Sequence, residues 1–125
     1  MRRRAATEDS APAEDAGLSL RIDLPSGRIG PGKIRLLEEI DREGSISAAG
    51  RSLGMSYRRA WDLVDALNTL VGSAVVEAST GGYRGGGATL TDAGRSLVAD
   101  YRAIERAAQR AAQPRLAALL RRTKG

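Results

Sequence analysis

The chain has 125 residues, 42% of them hydrophobic, with a formal net charge of +5 and with neither cysteine nor histidine. That length fits one domain with a modest core, and one Trp, three Tyr and no Phe leave that core to Leu, Ile, Val and Ala. Without Cys or His the chain lacks disulfides, thiolate nucleophiles, the usual zinc ligands and any side chain that titrates near neutrality, so we expect neither an enzyme nor a bound cofactor or metal.

Residues 1–16 are polar, Ala-rich and without hydrophobic periodicity, which predicts a disordered tail. The Arg2-Arg3-Arg4 run is followed by no apolar stretch of the kind that export signals carry, and no apolar run is long enough to span a membrane. A cytoplasmic protein is expected.

Strict alternation in LSLRIDL puts Leu18, Leu20, Ile22 and Leu24 on one face and predicts a half-buried strand over 18–24, ended by Pro25-Ser26-Gly27. From Lys33 to Arg42, Ile34, Leu37 and Ile40 recur at helical spacing, with Leu36 widening the stripe. Arg35–Glu39 and Glu38–Arg42 stand four apart as candidate ion pairs, and Gly44 closes the helix.

Ser45 is placed to cap a short helix carrying Ile46, Ala49, Gly50 and Leu53 on one stripe, and Gly54 can take the left-handed conformation after it. Ser56 then caps a longer helix, YRRAWDLVDALNTLV, in which Ala60, Leu63, Val64, Leu67 and Val71 form the core arc. A short helix, a tight glycine turn and a longer helix make a helix-turn-helix pattern.

Two short β segments, AVVEAS (74–79) and GATL (87–90), bracket a stretch with five glycines in the seven positions from Gly81 to Gly87. No Lys-Ser/Thr follows those glycines and no dinucleotide-type spacing occurs, so a phosphate cradle of the nucleotide-binding kind is excluded and a hairpin remains. Thr91 caps a helix that we expect to continue to about Gln113, where Pro114 interrupts it. Its apolar seam runs through Leu90, Gly94, Leu97, Tyr101, Ile104, Ala108 and Ala111, in alternating steps of four and three that call for a partner helix. Residues 91–125 hold eight basic and three acidic side chains, which accounts for the whole +5 and suits an anionic partner.

The candidate binding residues follow from this layout. The first turn after Ser56 presents Ser56, Tyr57, Arg58 and Arg59 together with free backbone amides, a set suited to phosphates and to base edges in a major groove. Arg58 is equally spaced for an ion pair with Asp62, and Trp61 serves either DNA or core packing. Ser47, in the first turn of its helix, is a candidate for a phosphate hydrogen bond. At the hairpin tip Arg84 supplies charge, Gly85 lets the backbone approach a phosphate, and Tyr83 either wedges beside a sugar or covers the hairpin base.

GSISAAGRSLGMSYRRAWDLVDALN, followed by GGYRGGGATLTDAG, resembles the N-terminal DNA-binding domain of ModE-type molybdate-responsive regulators and, more distantly, the winged helix of LysR-type regulators. The resemblance runs from about Leu18 to Ala108 and includes the Ser-Tyr-x-x-Ala-Trp-Asp run at 56–62 and Leu90-Thr91-x-x-Gly94. It implies a mainly α winged helix-turn-helix with a small β-hairpin wing and a long C-terminal dimerisation helix.

In that arrangement the tail is 1–16, the DNA-binding domain with its dimerisation helix 17–113, and a basic C-terminal extension 114–125. Leu97, Tyr101, Ile104 and Ala108 would form the homodimer contact. The expected function is sequence-specific binding of double-stranded operator DNA in transcriptional regulation. The alternative is an interaction module that heterodimerises with a larger regulator, supported by the seam and by Asp62 and Asp65 on the reading helix. Nothing from Thr91 onward has the look of an oxyanion site, so we expect a stand-alone DNA-binding domain that does not bind molybdate.

Overall fold

The computed structural model describes residues 16–79 and 87–123. The chain divides into two compact units, one formed by residues 20–102 and the other by the described residues 16–19 and 103–123. In the first unit the order is β1 (Ile22–Leu24), β2 (Gly27–Ile29), α1 (Pro31–Glu43), α2 (Ile46–Ser52), α3 (Tyr57–Val71), β3 (Val76–Ser79) and β4 (Gly87–Leu90). The final helix α4 (Asp92–Thr123) begins in this unit and runs on into the second.

The core of the 20–102 unit follows the helical stripes. Ile34, Leu36, Leu37 and Ile40 of α1 are fully buried, together with Ala49 of α2, Ala60 and Leu67 of α3, and Val75. Burying one such branched side chain contributes about 1.5–3 kcal/mol, which is why these stripes set the helix orientations. Leu63 is half-buried, and Val71 is exposed in the last turn of α3 before the Gly72 cap.

Among the described residues antiparallel pairing forms two separate two-stranded sheets. In the β3–β4 hairpin Val76 lies opposite Leu90, Glu77 opposite Thr89 and Ala78 opposite Ala88. The expected single strand over 18–24 is shorter than its alternation predicts. Only Ile22–Leu24 pair, and they pair with Gly27–Ile29 across a turn at Pro25-Ser26, so that Ile22 faces Ile29. Leu18 and Leu20 keep the predicted half-burial, while Leu24 is exposed at the turn.

The expected Glu38–Arg42 ion pair is also rearranged. Arg42 reaches Glu39, three residues back, at 2.7 Å, and Glu43 at 2.8 Å. The Arg42 hydrogen bond holds the Glu39 carboxyl below the usual carboxylate range. Glu38 instead receives two hydrogen bonds from the guanidinium of Arg102 on α4, at 2.9 and 2.7 Å.

Helix α4 does not stop at Gln113; it passes through Pro114 to Thr123 as one helix of 32 residues, about 48 Å at 1.5 Å per residue. An interior proline costs about 3 kcal/mol through one lost hydrogen bond and a clash, but the Ala, Leu, Gln and Arg residues on either side favour helix strongly. In the 16–19 and 103–123 unit, the amide of Leu18 donates to Oε1 of Gln109 at 2.8 Å.

Candidate nucleic-acid interface

The helix-turn-helix is built by local chemistry. Ser45 Oγ accepts the amide of Ala48 at 3.0 Å and starts α2; Ser56 Oγ accepts the amide of Arg59 at 3.0 Å and starts α3. Each cap satisfies one of the amides that a helix start leaves without an internal partner, typically about 1 kcal/mol. Between the helices, Gly54 adopts φ +72°, a left-handed conformation that side-chain-bearing residues rarely take, and the amide of Met55 returns to the Gly50 carbonyl at 2.9 Å.

The hairpin is tied to both helices. The amide of Ala88 donates to the carbonyl of Gly44 at 2.9 Å, joining β4 to the turn between α1 and α2. Asn68 Oδ1 accepts the amide of Val75 at 2.9 Å, and Thr91 Oγ1 donates to the Ala74 carbonyl at 2.7 Å while accepting the Gly94 amide at 3.0 Å. Thr91 therefore caps α4 and closes the base of the hairpin with one hydroxyl.

The sequence-selected residues fall into three groups. Tyr57, Arg58, Arg59 and Trp61 lie exposed on the first turns of α3 beside the cap residue Ser56. The rings of Tyr57 and Trp61 meet edge to face, with centroids 6.3 Å apart and planes at 81°. Arg58 makes no ion pair with Asp62 or with any other described carboxylate, and Arg59 is likewise unpaired among the described residues. Two guanidinium groups thus stand in solvent at the positive end of a helix dipole.

Ser47 forms the second group with a residue that sequence reasoning missed. Its Oγ accepts a hydrogen bond from Arg51 Nη1 at 3.0 Å, one turn along α2. The spacing of four between a hydroxyl and a guanidinium was the available signal. Tyr83, Arg84 and Gly85, the third group, lie outside the described residues.

The seam of α4 divides. Tyr101 is buried to 1% exposure, and its hydroxyl donates to the Leu20 carbonyl at 2.7 Å, so this side chain is committed to the core of its own unit. Leu97 packs half-buried against the same core. Ile104 is 48% exposed and Ala108 half-exposed. No helix among the described residues is long and apolar enough to cross a membrane.

Comparison with known proteins agrees with this geometry. The chain is 50% identical over 84 residues to the molybdenum-pterin-binding protein MopB of Rhodobacter capsulatus, covering 67% of this chain and 31% of that protein. It is 46% identical over 90 residues to the molybdenum transport protein ModE of Azotobacter vinelandii, covering 72% of this chain and 33% of the relative. The chain thus spans about a third of the length of these curated relatives. Among solved structures it is similar to a CbnR_DBD–DNA complex, with a TM-score of 0.55 and 25% identity over 70% of this chain and 95% of that one. Residues 32–95 match the model of the bacterial regulatory helix-turn-helix proteins of the lysR family, and the chain belongs to that family, in which it corresponds to the DNA-binding domain of ModE-type regulators.

Proposed function

We propose that this chain is a sequence-specific regulator of transcription that binds double-stranded operator DNA as a homodimer and catalyses no reaction. The observation that carries the reading is the unpaired pair Arg58 and Arg59, exposed on the first turn of α3 directly after the glycine turn. With α3 in a major groove, these guanidinium groups and the neighbouring Tyr57 and Trp61 reach base edges. Ser47 and Ser56, at the starts of their helices, face the phosphates that border the groove. At the wing, Tyr83, Arg84 and Gly85 meet the flanking backbone or minor groove.

The dimer contact falls to the outward part of the α4 seam, with Ile104 and Ala108 against a second copy and Leu97 at its root. Tyr101 supports it from within the core, fixing the helix on which the contact is displayed. Two copies joined this way read half-sites about one or more DNA turns apart. The protein works in the cytoplasm. These residues are not proposed to bind molybdate, although two relatives carry molybdenum in their names.

Binding of the purified chain to a panel of operator variants tests this reading. Arg58→Ala is expected to relax base preference at one position, a loss of about 1–3 kcal/mol of discrimination. Arg84→Ala is expected to weaken binding to all sequences alike and to lower the salt dependence by about one charge. Equal, flat losses for both variants would refute the division of roles, and no mobility shift on any duplex at low salt would refute DNA binding itself.

A further inference from the structure

Between the start of α3 and the β3–β4 hairpin lies an open cleft of about 540 Å³. Tyr57 and Trp61 of α3, Val76 and Ala88 of the hairpin, and Ile46 and Ser47 of α2 line it. No charged side chain is among its described lining residues. Tyr57 retains 57% and Trp61 39% of its surface in solvent, an unfavourable placement for two large apolar rings unless a partner covers them. Their edge-to-face contact holds them as one wall rather than two independent side chains.

The chemistry of the lining selects among the groups that DNA offers. A phosphate would gain nothing from the described lining, which carries no charged side chain, and unpaired guanidinium groups for phosphates or guanine edges are supplied by Arg58 and Arg59 on the same helix turn. The cleft is suited to an apolar group, and on base edges exposed in the major groove that group is the thymine 5-methyl. We infer that Tyr57 and Trp61 form a thymine-methyl sensor at the edge of the reading helix, which sets a preference for thymine independent of the arginine contacts. This inference rests on the proposal that α3 reads DNA. Since no counterions are displaced by a methyl contact, its contribution is insensitive to salt, unlike that of the arginines.

The test begins with selection of duplexes from a random pool by the purified full chain, followed by resynthesis of the selected site with deoxyuridine in place of thymine. Removing each sensed methyl should weaken binding about fourfold, the equivalent of ~0.8 kcal/mol for one buried methyl-sized group. In Trp61→Ala and Tyr57→Ala the ratio between thymine and deoxyuridine duplexes should fall towards one at every salt concentration. Circular dichroism checks that each variant is folded, and two variants at exposed positions guard against the loss of either. Equal binding of thymine and deoxyuridine duplexes by the wild type would overturn the sensor and leave the DNA-reading proposal standing. A preserved ratio in both folded variants would place the methyl contact elsewhere and also overturn it. Failure to enrich any sequence would overturn the DNA-reading proposal, and the sensor with it.

Discussion

Gly94 lies so close to Val75 that a Cβ at position 94 would overlap the Val75 carbonyl and come within 3.4 Å of the Leu90 Cβ. That same carbonyl accepts the Thr91 amide at 3.0 Å, so the contact sits at the junction where the hairpin becomes α4. Gly94→Ala is expected to force backbone apart there and cost about 1–3 kcal/mol, the usual range for overpacking a filled site. Gly32→Ala is the control: nothing lies within 4 Å of its Cβ position, and the change adds helix propensity to α1. Urea denaturation of the two variants should show a lowered midpoint for the first and an unchanged or raised one for the second.

Tyr101 joins α4 to the leading segment through its hydroxyl on the Leu20 carbonyl. Tyr101→Phe keeps the buried ring and leaves that carbonyl without its donor, with an expected loss of about 0.5–1.5 kcal/mol. Tyr101→Ala should cost about 3–5 kcal/mol by emptying the core position. Thermal melts rank the two. Sedimentation of Tyr101→Phe should match the wild type, because the phenol is turned inward rather than towards a second copy.

The lowered Glu39 carboxyl gives a pH signature with a definite sign. A carboxyl titrating lower in the folded chain than its ordinary 4.5 favours folding above that pH, and the advantage is lost as pH falls through the folded value. The cause is the hydrogen bond from Arg42, and Glu39→Gln removes the charge. The stability difference between wild type and Glu39→Gln should therefore shrink as pH drops below about 4.5, measured by melts across the acid range. The pair is partly solvent-screened, so the whole effect is small.

Arg51 and Ser47 form a hydroxyl–guanidinium unit on α2. If the unit holds a phosphate beside the groove, Arg51→Ala should weaken binding to cognate and random duplexes by the same factor. It should also reduce the slope of log affinity against log salt by about one. Stability should hardly change, since the side chain is exposed. Affinity measured at several salt concentrations on both duplexes checks this.

Much of the fold is legible in the amino-acid order itself. Helices α1, α2 and α3 follow from apolar periodicity, and the caps Ser45, Ser56 and Thr91 all accept the amides expected of them. These features depend on residues three or four apart, and local order carries that information directly. The hairpin flanking Gly81–Gly87 was legible for a related reason, because two short β segments separated by glycines have little choice but to pair.

Long-range choices were a different matter. The strand Gly27–Ile29 is three residues long and carries no periodicity of its own, and only its pairing with Ile22–Leu24 defines it. Glu38 had a partner at helical spacing in Arg42, yet the fold brings Arg102 to it from 64 positions away, at 2.7 Å. Pro114 reads as a break when judged alone, but its neighbours carry α4 past it. The seam of α4 looked uniform in one dimension, and packing turned Tyr101 inward while leaving Ile104 in solvent. Caps and stripes are properties of neighbouring residues, so the chain order contains them. Which buried or charged group meets which partner depends on burial summed over the whole unit, and that is decided only when the helices and hairpins pack together.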